Sequence, residues 1–334
     1  MKPVTYRESG VDIDKGNEAV RQIKASIHET YNANVLSELG GFGGLFRFPQ
    51  GEYKDPVLVS STDGVGTKLK LAFMTNKHDT VGEDLVNHCV NDIAVTGAKP
   101  LFFLDYFASG ALENHVFSQV IAGFVRGCKN NGCALVGGET AEMPDMYREG
   151  EYDLSGTIVG VVERSKIVDG SKISEGDCLI GIQSSGLHTN GFSLARKVLL
   201  SAYKPDAYLP ELQTSLGEEL LKVHLSYLPL ITKAVEKYNI HGISHITGGG
   251  IEGNTKRLLK GNLQLEIDWQ SWEILPVFNL IQTLGNVPQE EMRKTFNLGI
   301  GLIFIVEPEQ ARQLQDLSVS LDYKAFRIGS VISH

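Results

Sequence analysis

The sequence predicts an α+β protein of two domains with mixed sheets, and three observations lead to this fold class. The chain has 334 residues, which is enough for two domains of ordinary size. Short apolar runs of strand composition alternate with segments of helical periodicity along its length. A polar stretch, RSKIVDGSKISEGD at 164–177, interrupts this alternation once. We therefore predict domains at residues 1–165 and 166–334.

The first half carries its elements in a regular order. A helix is expected to begin near Asn17, with Val20, Ile23 and Ile27 on one face. The sequence Thr80-Val-Gly-Glu83 reads as a capping box that starts a second helix. The strand PLFFLDYFA, a helix over residues 114–130 and the strands CALVGG and DLSGTIVGVVE follow.

The second half repeats the alternation with different lengths. It opens with the strand CLIGIQSS, a helix from Asn190 and further helices between residues 216 and 238. The strand ISHIT precedes a helix at about 254–260. The last elements predicted are the strand GIGLIFIVE, the helix EQARQLQDL and the strand KAFRIGSVI.

Composition and charge exclude several classes of function. The net charge is -9 and the pI about 5.5, without a basic stripe, which argues against nucleic acid as a partner. No apolar run approaches the roughly 20 residues of a membrane-spanning helix. The first 20 residues lack the apolar core of a signal peptide. The 4 cysteines form no CxxC pair, which favours reduced thiols in a cytoplasmic protein.

A glycine-rich loop, STDGVGTKLK at 60–69, follows a predicted strand. Its glycines Gly64 and Gly66 allow close backbone approach to a ligand, and Thr67 and Lys68 are suited to phosphate. Asp63 would repel phosphate unless a divalent cation lay between them, so the loop indicates a metal-bridged polyphosphate. An ordinary polar turn is the alternative. The loop is not a Walker A motif, because a leucine follows the lysine.

Three carboxylates at or near predicted element ends, Asp63, Asp92 and Glu139, form a candidate Mg²⁺ site. His88 lies four residues before Asp92 on the predicted helix. The alternatives are a surface pair for Asp92, a turn cap for Glu139 and an Asx turn for Asp63. The glycines Gly43 and Gly44 in FGGLF are interpreted as part of a nucleotide lid or of a packed turn.

Two turns in the second half are candidate anion sites. In SSGLHTNGFSLAR a strand leads into a helix that Asn190 is expected to cap, and the N–H groups of such a helix end bind anions. HITGGGIEGN repeats the arrangement. Tight capped connections are the alternative, but two such turns favour a bound phosphate ester. The residues concerned are Ser185, Gly186, His188, Thr189, Asn190, Gly248 and Gly249. The histidines outside motifs are interpreted as surface or core residues: His28, His78, His115, His224, His241 and His334.

Taken together, these motifs resemble the aminoimidazole ribonucleotide (AIR) synthetase family, the phosphoribosylformylglycinamidine cyclo-ligases. GVDIDKGN, GGFGGLF, STDGVGTKL, PLFFLDY, GGETAEMP, SSGLHTNG and HITGGG occur in the family's order from about residue 6 to 330. Thr189 stands where the family pattern would have serine. The resemblance implies an N-terminal domain that forms a β-barrel across a homodimer, and a C-terminal α/β sandwich domain.

The resemblance also implies a reaction and roles for residues. ATP would phosphorylate the formyl oxygen of formylglycinamidine ribonucleotide, and the amidine nitrogen would then close the ring. Asp63, Asp92 and Glu139 would hold Mg²⁺, with Thr67 and Lys68 on the ATP phosphates. The turn at 185–190 would bind the ribose phosphate, and His188 would also shuttle a proton. Two alternatives remain: another ATP-dependent synthetase or kinase of the superfamily, and a nucleotide-binding protein without turnover.

Overall fold

The computed structural model describes residues 5–333, and two large sheets organise them, with a third sheet of only two short strands in the second half. The elements of the first half are helices α1 (Ile13–His28), α2 (Leu69–Thr75), α3 (Val81–Ala94) and α4 (Asn114–Asn131), and strands β1 (Pro56–Gly64), β2 (Lys99–Ser109), β3 (Ala134–Glu142) and β4 (Tyr152–Glu163).

The first sheet is mixed, as predicted, with the strand order β1-β4-β2-β3. Strand β4 is antiparallel to both neighbours, whereas β2 and β3 are parallel because the crossover helix α4 joins them. One face of the sheet packs on α1, α3 and α4 around buried residues such as Phe103, Phe107 and Ile158. The sheet is open, with β1 and β3 at its edges.

Helices α3 and α4 approach so closely that only glycine fits between them. A Cβ on Gly82 would lie 2.2 Å from the Val120 carbonyl oxygen, and one on Gly123 would lie 2.7 Å from the Asp79 carbonyl oxygen. This contact fixes α3 against the domain core. It matters for function because α3 carries several side chains of the candidate site.

The second half contains more elements than the sequence indicated. Its helices are α5 (Phe192–Ala202), α6 (Leu216–Leu220), α7 (Leu228–Lys237), α8 (Gly250–Thr255), α9 (Pro276–Gly285), α10 (Gln289–Thr295) and α11 (Pro308–Ser320). Its strands are β5 (Cys178–Gln183), β6 (Tyr208–Leu209), β7 (Thr214–Ser215), β8 (Ile240–His245), β9 (Leu263–Ile267), β10 (Ile300–Val306) and β11 (Ala325–Ser333).

The second sheet is antiparallel throughout, so the prediction of mixed sheets is wrong for this half. Its order is β8-β10-β5-β11-β9, and all four pairings are antiparallel. Strands β10 and β11 run parallel and are joined through α11, but β5 lies between them. Both faces of the sheet are covered by buried side chains, with α7 and α11 on one of them.

Several local predictions also need correction. Thr80 makes no side-chain cap bond, and Glu83 pairs with Arg126 instead of closing a capping box. Helix α1 begins at Ile13, where the Asp12 carboxylate accepts from the Lys15 N–H at 3.2 Å. The helix predicted at 254–260 is instead α8, which begins at 250 and ends at 255.

The polar stretch 164–177 connects the two sheets, since β4 ends at Glu163 and β5 begins at Cys178. The division at 165/166 stays a prediction. No helix within residues 5–333 combines the length and the apolar character needed to span a membrane. His334 lies outside the described residues.

Candidate active site

One polar face of α3 binds an extended segment of the second half, Lys222–Tyr227, which we call the strap. Asp84, Asn87 and Asn91 lie on this face at helical spacing. The Asp84 carboxylate accepts from the His224 N–H at 2.8 Å, and the Asn87 amide donates to the His224 carbonyl at 2.8 Å. Asn91 pairs with the Leu225 carbonyl and the Tyr227 N–H. These bonds hold the two halves together at the site.

Lys68 does not face the open loop where the sequence had placed it. Its side chain is fully buried, and Nζ donates to Asp84 Oδ1 at 2.9 Å and to the Lys222 carbonyl at 2.7 Å, with Asp84 Oδ2 also 2.8 Å away. Burial lowers the pKa of Lys68 and raises that of Asp84, because both charged forms lose solvation. In this conformation Lys68 joins the glycine-rich loop at 60–69 to the strap, and its buried ammonium is not exposed to a phosphate.

His88 on α3 lies between the glycine-rich loop at 60–69 and the second half. Its Nε2 is 2.9 Å from an Asp63 carboxylate oxygen, and its Nδ1 is 2.7 Å from the Thr189 hydroxyl. Burial opposes protonation, but the bond to Asp63 and the charges of Asp92 and Asp63 raise the pKa of His88. Burial likewise works against the Asp63 anion, yet the bond from His88 holds the pKa of Asp63 below its ordinary value. The contact therefore favours the charged forms of both groups, since it raises the pKa of His88 and lowers that of Asp63.

Asp92, one turn further along α3, meets a histidine that the sequence analysis had not singled out. His245 ends β8, and its Nδ1 is 2.8 Å from the Asp92 carboxylate. The other Asp92 oxygen accepts from the Ser61 hydroxyl at 3.0 Å and lies 3.8 Å from His88 Nε2. The Nε2 atoms of His245 and His224 are 3.0 Å apart.

His188 and His224 complete a group of four histidines between the halves. Their rings stack with centroids 4.0 Å apart. Burial lowers the pKa of both far below the ordinary value, and neighbouring positive charges add to the effect, so both rings are neutral. His224 is fully buried, which agrees with the core alternative of its interpretation, but the sequence did not indicate that it lies in the candidate site. The sequence signal that remained was indirect: His245 directly precedes a glycine-rich turn.

The turn at 184–190 carries two buried polar atoms without a protein partner, His188 Nδ1 and Asn190 Nδ2. His188 has φ of 60°, a left-handed conformation that turns the chain sharply. Asn190 does not cap α5, which begins at Phe192 with Gly191 as its N-cap. Its Oδ1 instead lies 3.3 Å from the position of a Cβ on Gly248, so the two predicted anion turns are adjacent.

Ser185 is engaged within the protein. Its hydroxyl donates its proton to the Val223 carbonyl in the strap at 2.6 Å, and its N–H donates to His188 Nε2 at 3.3 Å. Since a hydroxyl has one proton to donate, the predicted bond from Ser185 to a phosphate would require the strap bond to break. Gly186 and Gly249 lie in the two turns, and Gly249 has φ of 101°.

The glycine-rich loop at 60–69 contains a left-handed glycine and contacts the second half. Gly66 has φ of 68°, and a Cβ on Gly64 would lie 3.2 Å from the Leu154 carbonyl oxygen. The Thr67 hydroxyl is 3.0 Å from the Ser193 hydroxyl, at the start of α5. The Asp63 carboxylate also accepts from the Gly64 N–H at 2.7 Å, which is a local turn bond of the kind weighed as an alternative.

A cavity of about 700 Å³ opens beside β2 and β3 and is lined by α1, the glycine loop with Gly43 and Gly44, Asp105 and Glu139. Burial, together with the charge of Glu139, raises the pKa of Asp105 to about 7. A Cβ on Gly138 would lie 2.2 Å from the Asp105 carboxylate, so glycine is required beside it. The volume of this cavity lies in the range of small-molecule binding sites.

The three predicted metal ligands do not form one site. Among the described residues, the only histidine, cysteine or carboxylate set of three with ligand atoms within 4.8 Å is His88, Asp92 and His245. Asp63 and Asp92 instead share contacts with His88, whereas Glu139 lies in the cavity with Asp105. Sequence spacing did not show which carboxylates the sheet would bring together.

Two family models match nearly the whole chain. The AIR synthase related protein N-terminal domain matches residues 45–162, and the corresponding C-terminal domain matches residues 174–334. A phosphoribosylformylglycinamidine cyclo-ligase of Thermodesulfovibrio yellowstonii is 51% identical over 98% of this chain and 96% of its own length. The protein of that name from Syntrophotalea carbinolica is 50% identical over 99% of this chain and 95% of its own length.

Solved structures with lower identity share the fold. Thiamine-monophosphate kinase from Stenotrophomonas maltophilia superimposes with a TM-score of 0.73 at 19% identity, covering 95% of this chain and 94% of the kinase. Hydrogenase maturation protein HypE in complex with ATP gives 0.67 at 16% identity, covering 95% and 86%. The family models and the curated relatives, with the two-domain architecture above, show that this chain belongs to the phosphoribosylformylglycinamidine cyclo-ligase (AIR synthetase) family.

Proposed function

We propose that this chain catalyses the ATP-dependent cyclisation of formylglycinamidine ribonucleotide to 5-aminoimidazole ribonucleotide, with release of ADP and phosphate, in de novo purine biosynthesis. The curated relatives carry the name of this activity at about half identity over nearly full length. An amide oxygen is a poor leaving group, and its phosphorylation makes it a good one. The enzyme therefore needs to hold ATP and the ribonucleotide together and to manage charge and protons.

The observation that carries the proposal at the site is the pair of unpartnered buried atoms, His188 Nδ1 and Asn190 Nδ2. Buried polar atoms in folded proteins nearly always have a partner, so an exception calls for an explanation such as a ligand. The Asn190 amide is a donor beside the glycines of the 248–249 turn. We assign the substrate's ribose phosphate to this place, with Thr189 and Gly186 beside it.

We place ATP in the cavity lined by Gly43, Gly44 and Glu139, extending towards the loop with Thr67. The Asp105 and Glu139 carboxylates fit a divalent cation there: both offer oxygen, the donor that Mg²⁺ prefers, and the raised pKa of Asp105 reflects a carboxylate without a compensating charge. When bound, Mg²⁺ would neutralise phosphate charge. Asp63 remains a candidate ligand, provided its bond to His88 opens.

The histidines give the site its proton chemistry. His88 contacts the Asp63 carboxylate through Nε2, and its acidic neighbours raise its pKa, so this position between the two substrates' proposed places favours positive charge, as a proton on His88 or as a bound cation. His188 is neutral, and because its Nε2 accepts from the Ser185 N–H, its unpartnered Nδ1 carries the hydrogen and would donate to an oxygen of the bound substrate. Asp92 orients His245 through its bond to Nδ1.

The test is ADP release by the purified chain with ATP, Mg²⁺ and synthetic formylglycinamidine ribonucleotide. We expect ADP and aminoimidazole ribonucleotide in equal amounts, and Asn190→Leu should raise KM for the ribonucleotide more than that for ATP. ADP formation with another acceptor, such as thiamine monophosphate, but none with this ribonucleotide would identify a different enzyme of the superfamily. ATP binding without ADP release under any acceptor would identify a binding protein.

We further propose that the first sheet closes into a β-barrel with that of a second copy. The sheet face opposite the helices carries apolar side chains on neighbouring strands, and Leu58 on β1 is 62% exposed. Phe102 on β2 lies on that face too, partly covered by Phe46. An apolar open sheet face is typical of a covered interface. Sedimentation equilibrium should give a dimer at micromolar concentration, and a stable monomer would contradict this proposal.

A further inference from the structure

The group His88, Asp92 and His245 has the composition of a transition-metal site. One ligand atom of each lies within 4.8 Å of the others, and both histidines are buried. The atoms that face the Asp92 carboxylate are His88 Nε2, at 3.8 Å, and His245 Nδ1, at 2.8 Å. Two imidazoles and one carboxylate suit Zn²⁺, Co²⁺ or Ni²⁺, whereas Mg²⁺ prefers oxygen ligands alone.

The outer ring nitrogens of both histidines are already held by hydrogen bonds, and so is the Asp92 oxygen that faces His88. His88 Nδ1 is 2.7 Å from the Thr189 hydroxyl, and His245 Nε2 is 3.0 Å from His224 Nε2. The second oxygen of Asp92 accepts from Ser61 at 3.0 Å. Metal-binding histidines characteristically have their other ring nitrogen fixed in this way, which orients the ring and selects the tautomer.

The group has a fourth oxygen donor beside it and spans the two halves. An Asp63 carboxylate oxygen lies 2.9 Å from His88 Nε2, and the Asp63 side chain is 41% exposed, so Asp63 or water is available as a fourth ligand. Two ligands lie on α3 of the first half, and His245 ends β8 of the second. A cation bound here would therefore link both domains.

We propose that His88, Asp92 and His245 bind a divalent transition-metal cation such as Zn²⁺ or Co²⁺. The site is distinct from the oxygen-lined cavity of Asp105 and Glu139, in both its residues and its ligand chemistry. It does not depend on the function proposed above, since binding is measured without nucleotide or substrate.

The test uses the full chain without a polyhistidine tag. Co²⁺ binding is followed by visible absorption, and Zn²⁺ binding is measured by calorimetry. We expect one cation per chain, a tetrahedral or five-coordinate Co²⁺ spectrum, and no displacement by excess Mg²⁺. His245→Gln should weaken binding by roughly 100-fold or more, and Thr189→Val by about 10-fold, the effect typical of losing an outer partner.

His241→Gln is the matched control. His241 is buried on the same strand and pairs with the Asp177 carboxylate at 2.8 Å, as His245 pairs with Asp92, but it lies outside the group. Its replacement should leave Co²⁺ binding unchanged. If His245→Gln fails to fold, Asp92→Asn tests the same site, and the rise in melting temperature that Zn²⁺ gives the unsubstituted chain should be absent in it. No stoichiometric binding, binding retained in both ligand variants, or equal loss in His241→Gln would overturn the proposal.

Discussion

Lys68→Met tests whether the lysine of the glycine-rich loop at 60–69 binds an ATP phosphate or stabilises the contact between the two halves. The substitution removes an ammonium that contacts both Asp84 oxygens and the Lys222 carbonyl, and the side chains of Lys68 and Asp84 are fully buried. It leaves the Asp84 carboxylate buried with the His224 N–H as its remaining partner. Removing one member of a buried pair costs about 3–5 kcal/mol of stability, because the other charge remains uncompensated.

The double variant Lys68→Met with Asp84→Leu separates the pair from its surroundings. No buried charge remains in it, and the expected loss comes mainly from the His224 N–H and the Lys222 carbonyl, at about 1–3 kcal/mol each. We therefore expect it to be more stable than the sum of the two single losses implies, by about 2–3 kcal/mol. Lys70→Met is the control, since Lys70 forms a part-exposed pair with Glu151 and should cost under about 1 kcal/mol.

The assay is guanidinium chloride denaturation followed by fluorescence, which reports on the second half because both tryptophans, Trp269 and Trp272, lie there. ATP affinity is measured in parallel. A loss for Lys68→Met no larger than that for Lys70→Met, together with weakened ATP binding, would refute this reasoning and restore the phosphate-binding role that the sequence suggested.

Three further predictions concern turnover, packing and pH. Asp63→Asn should lower turnover roughly 10²-fold with little loss of stability, since it removes a negative charge from the glycine-rich loop at 60–69. Near-normal ADP formation at saturating substrate would argue against a role for Asp63 in catalysis. Gly123→Ala should destabilise by about 1–3 kcal/mol, because its Cβ would lie 2.7 Å from a backbone oxygen, whereas Gly16→Ala in open space on α1 should not destabilise in the same thermal denaturation assay. A histidine whose folded pKa is lowered stays neutral while the unfolded chain takes up a proton below about pH 6.5, so stability should fall with acidification from pH 7.5 to 5.5. His188→Asn should reduce that slope by up to about 1.4 kcal/mol per pH unit, and an unchanged slope would contradict the neutral assignment.

The spacing of apolar residues was sufficient to predict a helix or strand where that element packs against a single hydrophobic core. The α4 helix and the β2 strand match their predictions because their apolar spacing reports directly on the first domain's core. The antiparallel second sheet was not predictable in this way, because strand order is set by which crossovers skip a neighbour and not by the pattern within a strand. Short α9 and α10 were missed between stronger signals.

The residues of the candidate site likewise fall into those that local sequence predicted and those that it did not. Asp63, His88 and Asp92 were within reach of sequence reasoning because they share a loop and one helix face. His224 and His245 were not, because domain packing brings them to α3 from positions more than a hundred residues away. Lys68 was misplaced for a related reason: its partner Asp84 and the strap carbonyl come from different segments, so nothing next to it in sequence indicated burial.

The strap changes what it means to cut this protein in two. An isolated first half would leave Asn87 and Asn91 without the strap groups that they bind and Asp84 with Lys68 alone, and the second half would lose the helix face that holds the strap. The binding of the strap therefore resembles the binding of a peptide in a groove, because side chains of α3 form hydrogen bonds with successive backbone groups of the strap. Two fragments severed within residues 164–177 and produced together should find each other through this segment, as in fragment complementation, whereas either one made alone should be a poor folding unit.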